Sequence, residues 1–366
     1  MSRFRRITDK TPAELGYRFP AEWEEQSGTW FSWPRPEGIS FPGYYDRIPA
    51  QFAAIFKAIT PRQIVHLNVL DGDHEREVRD VLASEGVDLG RVTFHHIRTN
   101  ESWCRDHGPA FLVRETEGQK GGRELAVVNW GYNAWGGKYP PYDLDDAVPV
   151  RIAEELGLPL FEPGIVMEGG AIDVNGKGCL LTTESCLLNP NRNPGLGRDE
   201  IERYLRDFYG QSHILWLGEG IEGDDTDGHV DDLARFLNPT TIAVAEEPDT
   251  SDPNHAVLRE AIDRCGALRD QDGHPFDLCV LPMPGRVERE GTRLPATYLN
   301  FLFVNGALLV PTFRDKVNDA SALAILDEAL PDHEVIGIDC TELIWGLGAI
   351  HCASQQVPRV SQPASS

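Results

Sequence analysis

Hydrophobic positions along this chain switch repeatedly between two periods. Over 45–59 the residues Ile48, Phe52, Ile55, Phe56 and Ile59 recur every three or four positions, the spacing of a helix with one buried face. The next run, "IVHLNVL" at 64–70, is short and almost wholly apolar, which predicts a buried strand. Helical spacing returns over 74–86 and stops at Gly86, before a strand at 92–97. Ahead of these elements "TWFSW" reads as a strand ended by Pro34, and nothing near it in sequence can pair with it.

Further along, one order of elements recurs. After the loop 98–109, "AFLV" and "ELAVVNW" form a hairpin around the polar tip 114–123, followed by a helix over 147–157, a short strand at 158–162 and the loop 163–170. Hairpin 171–183 turns at Asn175-Gly176, helix 198–210 and strand 213–217 follow, and a loop at 218–228 opens hairpin 229–246. The order then repeats with helix 254–268, strand 277–284 and hairpin 297–313, and finally with helix 319–330, strand 333–339 and a loop around Cys352. These are about five copies of one helix, strand, loop, hairpin unit, each of about 40–60 residues, although residue identities barely repeat. The last copy lacks one hairpin strand, which "TWFSW" can supply. The pattern therefore predicts an α/β fold: a closed five-bladed α/β propeller with pseudo-fivefold symmetry, its ring closed by the N-terminal strand. A single domain then covers 1–366, with a flexible tail at about 359–366.

Composition narrows the function classes. No apolar run approaches the roughly 18 residues of a membrane helix, and the basic start "MSRFRRITDK" leads into no apolar segment, so neither a membrane span nor a secretory signal is expected. Seven scattered cysteines without a CxxC pair argue against a disulfide framework and a zinc site, and fit a reducing, cytoplasmic setting. A formal charge of -24 disfavours nucleic acid and anionic membranes, and favours small cations as partners. Assembly into a homo-oligomer stays open.

Four loops carry candidate chemistry. In a ring of such units, the loops after the inner strands face one end of the axis, which would bring together Asp106, Glu168, His229 with Asp231, and Cys352. Cys352 lies in "WGLGAIHCASQQ", where Gly346 and Gly348 allow a bent backbone and an accessible sulfur, making it a candidate nucleophile. His229 and Asp231, two apart on an expected strand, would share a face. The run "GDDTDGHVDD" fails as a calcium loop, because with Gly228 as the sixth position the first and twelfth would be Gly223 and Ala234. Arg105 reads as an anchor for a carboxylate, and the other six cysteines as core. Trp103, Trp130 and Trp135 read as packing or as an aromatic wall for an alkyl chain; Trp103 is the one assigned to substrate binding.

The motifs "ESWCRDHGP", "GYNAWGGKY", "MEGGAIDVNGKGCLLTTESCLLNPNRNPG", "DDTDGHVDD" and "GAIHCASQQVP", in this order, resemble the agmatine deiminase family, relatives of the bacterial-type peptidylarginine deiminases. The resemblance covers nearly the whole chain and implies the pentein fold, a five-bladed propeller of the guanidine-modifying superfamily. It implies Cys352 as nucleophile, His229 as general acid/base, Glu168 as its carboxylate partner, Asp106 and Asp231 as guanidinium anchors, and no cofactor or metal. The expected reaction is hydrolysis of agmatine to N-carbamoylputrescine and ammonia through a thiouronium on Cys352. Alternatives are an arginine or peptidylarginine deiminase, an amidinotransferase on the same fold, and a non-enzymatic polyamine-binding propeller.

Overall fold

The computed structural model describes residues 4–116 and 122–360. Five sheets of three or four strands share one arrangement: two antiparallel strands joined as a pair, with a third strand parallel to the second. Ala110–Glu115, Arg123–Val128 and Pro159–Phe161 form one such set, and Ile172–Val174, Cys179–Thr183 and His213–Leu217 the next. Ala234–Asn238, Thr241–Glu246 and Asp277–Pro282 follow, then Leu302–Val304, Ala307–Thr312 and Glu334–Asp339. The fifth set joins the two ends of the chain: Ser354–Pro358 runs antiparallel to Gln26–Ser32, which runs parallel to Ile64–Asn68. A parallel partner requires a crossover, and a helix supplies it in every set: Ile48–Ile59, Val148–Leu156, Arg198–Tyr209, Asn254–Ala267 and Lys316–Ala329.

Each helix buries the stripe that its sequence spacing marks out. Phe52 and Phe56 of Ile48–Ile59 are fully buried and meet Phe31 edge-on, with ring centroids 6.4 and 4.8 Å apart. Burying each such side chain contributes about 1.5–3 kcal/mol. The "TWFSW" strand pairs with the C-terminal segment on one edge, as expected, but on the other it pairs with the next long strand, Ile64–Asn68, so it does have a local partner. No helix among the described residues is long and apolar enough to cross a membrane.

Three expectations need correction or placement. His229 and Asp231 do not share a strand: Val230–Asp232 is a single 3-10 turn capped by His229, and the strand begins at Ala234. Asp224 Oδ2 and Thr226 Oγ1 accept the His229 N–H, at 3.0 and 3.1 Å, which holds the backbone out of strand geometry and lets the two side chains diverge. Gly346 and Gly348 are needed for close approach, not for backbone freedom. A Cβ at either would lie 2.7 Å from the Trp103 ring, and the left-handed residue in this loop is Leu347. Residues 117–121 of the expected hairpin tip and 361–366 of the expected tail lie outside the described residues.

Candidate active site

Cys352 ends a tight turn two residues before Ser354–Pro358, at the floor of a cavity of about 340 Å³ that Trp103, Asp106 and Trp135 also line. Asn300 fixes this turn. Its Oδ1 accepts the backbone N–H groups of His351 (3.0 Å) and Cys352 (3.2 Å), while its Nδ2 donates to the Cys352 sulfur at 3.0 Å. The thiol in turn lies 3.6 Å from Asp231 Oδ2. Burial, then Asp231, Asp232 and Asp106, push this thiol well above its ordinary pKa, against the Asn300 hydrogen bond. These surroundings favour the thiol over the thiolate.

Asp106 sits on the one-turn helix Cys104–His107, with Oδ2 accepting from the Trp135 indole N–H and Oδ1 from Gly170 N–H, both at 3.0 Å. The indole reaches it because Ala134 and Trp135 hold left-handed backbone angles, a strained arrangement for residues with side chains. Gly170 is glycine for space: a Cβ would sit 2.5 Å from His229 Nδ1 and 2.9 Å from Asp106 Oδ1. Trp103 forms the opposite wall, its indole N–H held by Ser40 Oγ at 2.8 Å. Trp130, expected nearby, packs elsewhere against Phe208 and Tyr209.

Behind the lining lie His229, Glu168 and Asp231. His229 Nδ1 is 3.7 Å from Asp106 Oδ1, and both ring nitrogens are buried without a hydrogen-bond partner. Burial alone would lower the His229 pKa, but Asp106, Cys186 and Asp231 together raise it well above the usual value, so the ring carries a proton at neutral pH. Glu168 lies within 4.8 Å of His229 and Cys186, counted between ligating atoms. Its Oε1 is tied to Arg192 Nε at 2.6 Å, while Oε2 is buried and unpartnered. Asp231 Oδ1 is unpartnered as well, whereas Oδ2 accepts from His351 and from Asn300 Nδ2 at 3.3 Å. Asp231 can thus offer a guanidinium one oxygen rather than two. Two sets of side chains here, Glu168–Cys186–His229 and Asp231–Asp232–Cys352, have the spacing to hold a cation, as does the surface set Asp270–Asp272–His274.

Cys352, Asp106, Trp103, His229, Glu168 and Asp231 come together in one place and Trp130 does not, but four supporting groups were missed. Asn300 belongs to the only repeated loop that offered no candidate, so the repeat itself was the available signal. Arg192 lies in the "NPNRNPG" stretch of a quoted motif, and His351 adjoins Cys352. Glu22 precedes the first long strand and had no signal; its carboxylate receives Arg105 and Arg235, each at 3.2 Å, so Arg105 does anchor a carboxylate, that of Glu22.

The sequence pattern of the Porphyromonas-type peptidyl-arginine deiminase family matches residues 18–358. Agmatine deiminase of Pseudomonas putida KT2440 is 36% identical over 376 aligned positions, covering 96% of this chain and 98% of that protein. The agmatine deiminase of Enterococcus faecalis superposes with a TM-score of 0.88 at 31% identity, over 97% of this chain and 99% of that one. A cysteine-to-serine variant of C. jejuni agmatine deiminase with substrate bound gives 0.84 at 32% identity, over 94% and 97%. The α/β fold is shared with these deiminases, and the chain belongs to the Porphyromonas-type peptidyl-arginine deiminase family.

Proposed function

We propose that the protein is a cysteine-dependent agmatine deiminase, converting agmatine and water to N-carbamoylputrescine and ammonium. The observation that carries this reading is a thiol on the floor of a cavity that Asp106 lines beside it, with the charged His229 and the carboxylates of Glu168 and Asp231 buried directly behind that lining. A guanidinium presents only N–H donors, so Asp106, the free Asp231 oxygen and the free Glu168 oxygen suit it.

The charges set the order of events. The incoming cation offsets the carboxylates that hold the Cys352 thiol protonated, and the thiol proton leaves to solvent. The thiolate attacks the guanidinium carbon, giving a neutral tetrahedral adduct. His229 donates its proton to one nitrogen, the C–N bond breaks, ammonia departs and a thiouronium remains on sulfur. Neutral His229 then takes a proton from water as the hydroxyl attacks the same carbon. Collapse breaks the C–S bond, releases the ureido product and the hydroxyl proton, and restores the thiolate. The sum is guanidinium plus water giving urea and ammonium.

Agmatine is preferred to arginine because two cations of the site motifs, Arg105 and Lys138, are already engaged by protein groups. Arg105 is buried on Glu22 and Gln356, and Lys138 binds the Asp225 carbonyl and Asp227 at 2.6 and 2.9 Å. Asp225 lines the cavity and suits the distal ammonium. Arg289, stacked over Trp345 at 4.0 Å, is the lining cation that supports arginine or an arginine peptide as the second reading, together with the family's name. We also read the five sheets as the blades of a propeller around a common axis, which their shared strand order supports. Within it the site loops share one end, and the enzyme acts as a small-molecule hydrolase of the cytoplasm.

The test is ammonia release and kcat/KM on agmatine, free arginine and an arginine peptide side by side. Agmatine is expected to lead; a lead for either other compound keeps the chemistry and overturns the substrate. Cys352→Ala should abolish turnover, and mass spectrometry of wild type quenched during turnover should place the adduct on Cys352.

A further inference from the structure

His351 adjoins the nucleophile in sequence, yet the reaction above does not use it. Its Nδ1 lies 2.6 Å from Asp231 Oδ2 and its Nε2 2.8 Å from Glu22 Oε2. A neutral imidazole carries one N–H, but two ionised carboxylates as partners require two donors. Both partner carboxylates are held as anions by their surroundings. Glu22 also receives Arg105 and Arg235, and Arg235 Nε binds Asp173 Oδ2 at 3.1 Å. Asp173 accepts from Arg235, from Phe236 N–H and from Val174 N–H, so it is surrounded by donors and stays anionic although burial pushes its pKa up. Of these three buried carboxylates, Glu22 and Asp173 face the two guanidinium groups, while Asp231 faces His351 on one side and the charged His229 on the other. Glu22 and Asp231 are both held below the usual carboxylate range despite their burial, Glu22 by Arg235, His351 and Arg105 and Asp231 chiefly by His351.

We propose that His351 is a positioning residue that works as a fixed imidazolium: anchored on Glu22, it takes up one oxygen of Asp231 and leaves the other aimed at the substrate guanidinium. The groups facing it come from every element packed around it. Glu22 comes from the segment before the first long strand, Asp231 from the 3-10 turn, Arg235 from the strand after it and Arg105 from the one-turn helix, and Asn300 holds the His351 N–H. The inference depends on the deiminase reading for what Asp231 binds, but not for the protonation of His351.

Two measurements on the full-length protein test it. In ¹⁵N-histidine-labelled protein at pH 7.5, two-bond ¹H–¹⁵N spectra should show a ring with both nitrogens protonated that disappears in His351→Asn, while the signal of the charged His229 remains. A neutral tautomer for His351 at pH 7.5 overturns the proposal whether or not agmatine proves to be the substrate. The second measurement is the steady-state kinetics of Glu22→Gln on agmatine. Without the Glu22 carboxylate the ring loses its anchor and Asp231 its fixed orientation, so KM should rise while kcat changes less. Kinetics superimposable on wild type count against a positioning role and leave only packing.

Discussion

Cys352 shares its surroundings with Asp231, Asp232 and Asp106, so the carboxylates that suit a cationic substrate also suppress the nucleophile until that substrate arrives. This opposition gives a prediction with two signs. Asp106→Asn should lower kcat/KM for agmatine by a factor equivalent to about 2–5 kcal/mol, because the guanidinium loses a buried charged acceptor. The same change removes one cause of the raised thiol pKa, so neutral iodoacetamide should alkylate Cys352 faster in the variant than in wild type at pH 8. Equal alkylation rates would mean that Asp106 does not act on the thiol. In wild type, a cationic haloacetamidine should react with Cys352 faster than the neutral amide at pH 7, since only the cation compensates the carboxylates; competition by agmatine checks that both report on the site. Below the raised thiol pKa the free sulfur stays protonated, so reaction with the neutral reagent should climb steadily with pH.

At the scale of elements, the loop bearing the nucleophile is shaped by what it touches. Gly348→Ala places a methyl group 2.7 Å from the Trp103 ring, so either the wall or the loop must move. Overpacking of this kind costs about 1–3 kcal/mol, to be read from urea unfolding, and KM should rise while the Cys352 adduct still forms. The repeated units were legible in sequence because each carries two periods in a fixed order, which the Ile48–Ile59 helix and the strand after it display plainly. The turn at His229 was not legible: "HVDD" alternates like a strand, and only Asp224 and Thr226, three to five residues earlier, divert it. Asn300 was hidden for a different reason. In "TYLNFLF" it resembles a polar break in a hairpin, and its four hydrogen-bonding partners lie in two distant segments.

For the whole molecule, the charge of -24 and the buried Glu22, Arg105, Arg235 and His351 network act over different ranges. The network is shielded from solvent and should be insensitive to salt. The surface charge should assist capture of a dication, so kcat/KM for agmatine should fall about tenfold between roughly 0.01 and 0.15 M salt, as the Debye length shrinks from about 30 to 8 Å. A guanidine with an uncharged tail should lose less, and a salt-independent ratio between the two would remove steering from the account. The pairing of Gln26–Ser32 with Ser354–Pro358 also has a consequence in time. A ribosome adding about 5–20 residues per second makes Gln26–Ser32 well before Ser354–Pro358. Until that partner is made, the nascent chain holds an unpaired aromatic strand edge, a site open to chaperones or to wrong partners. Asp106, Glu168 and His229 emerge early and Cys352 late, so no molecule can begin turnover until the strand that seats its sulfur has been made.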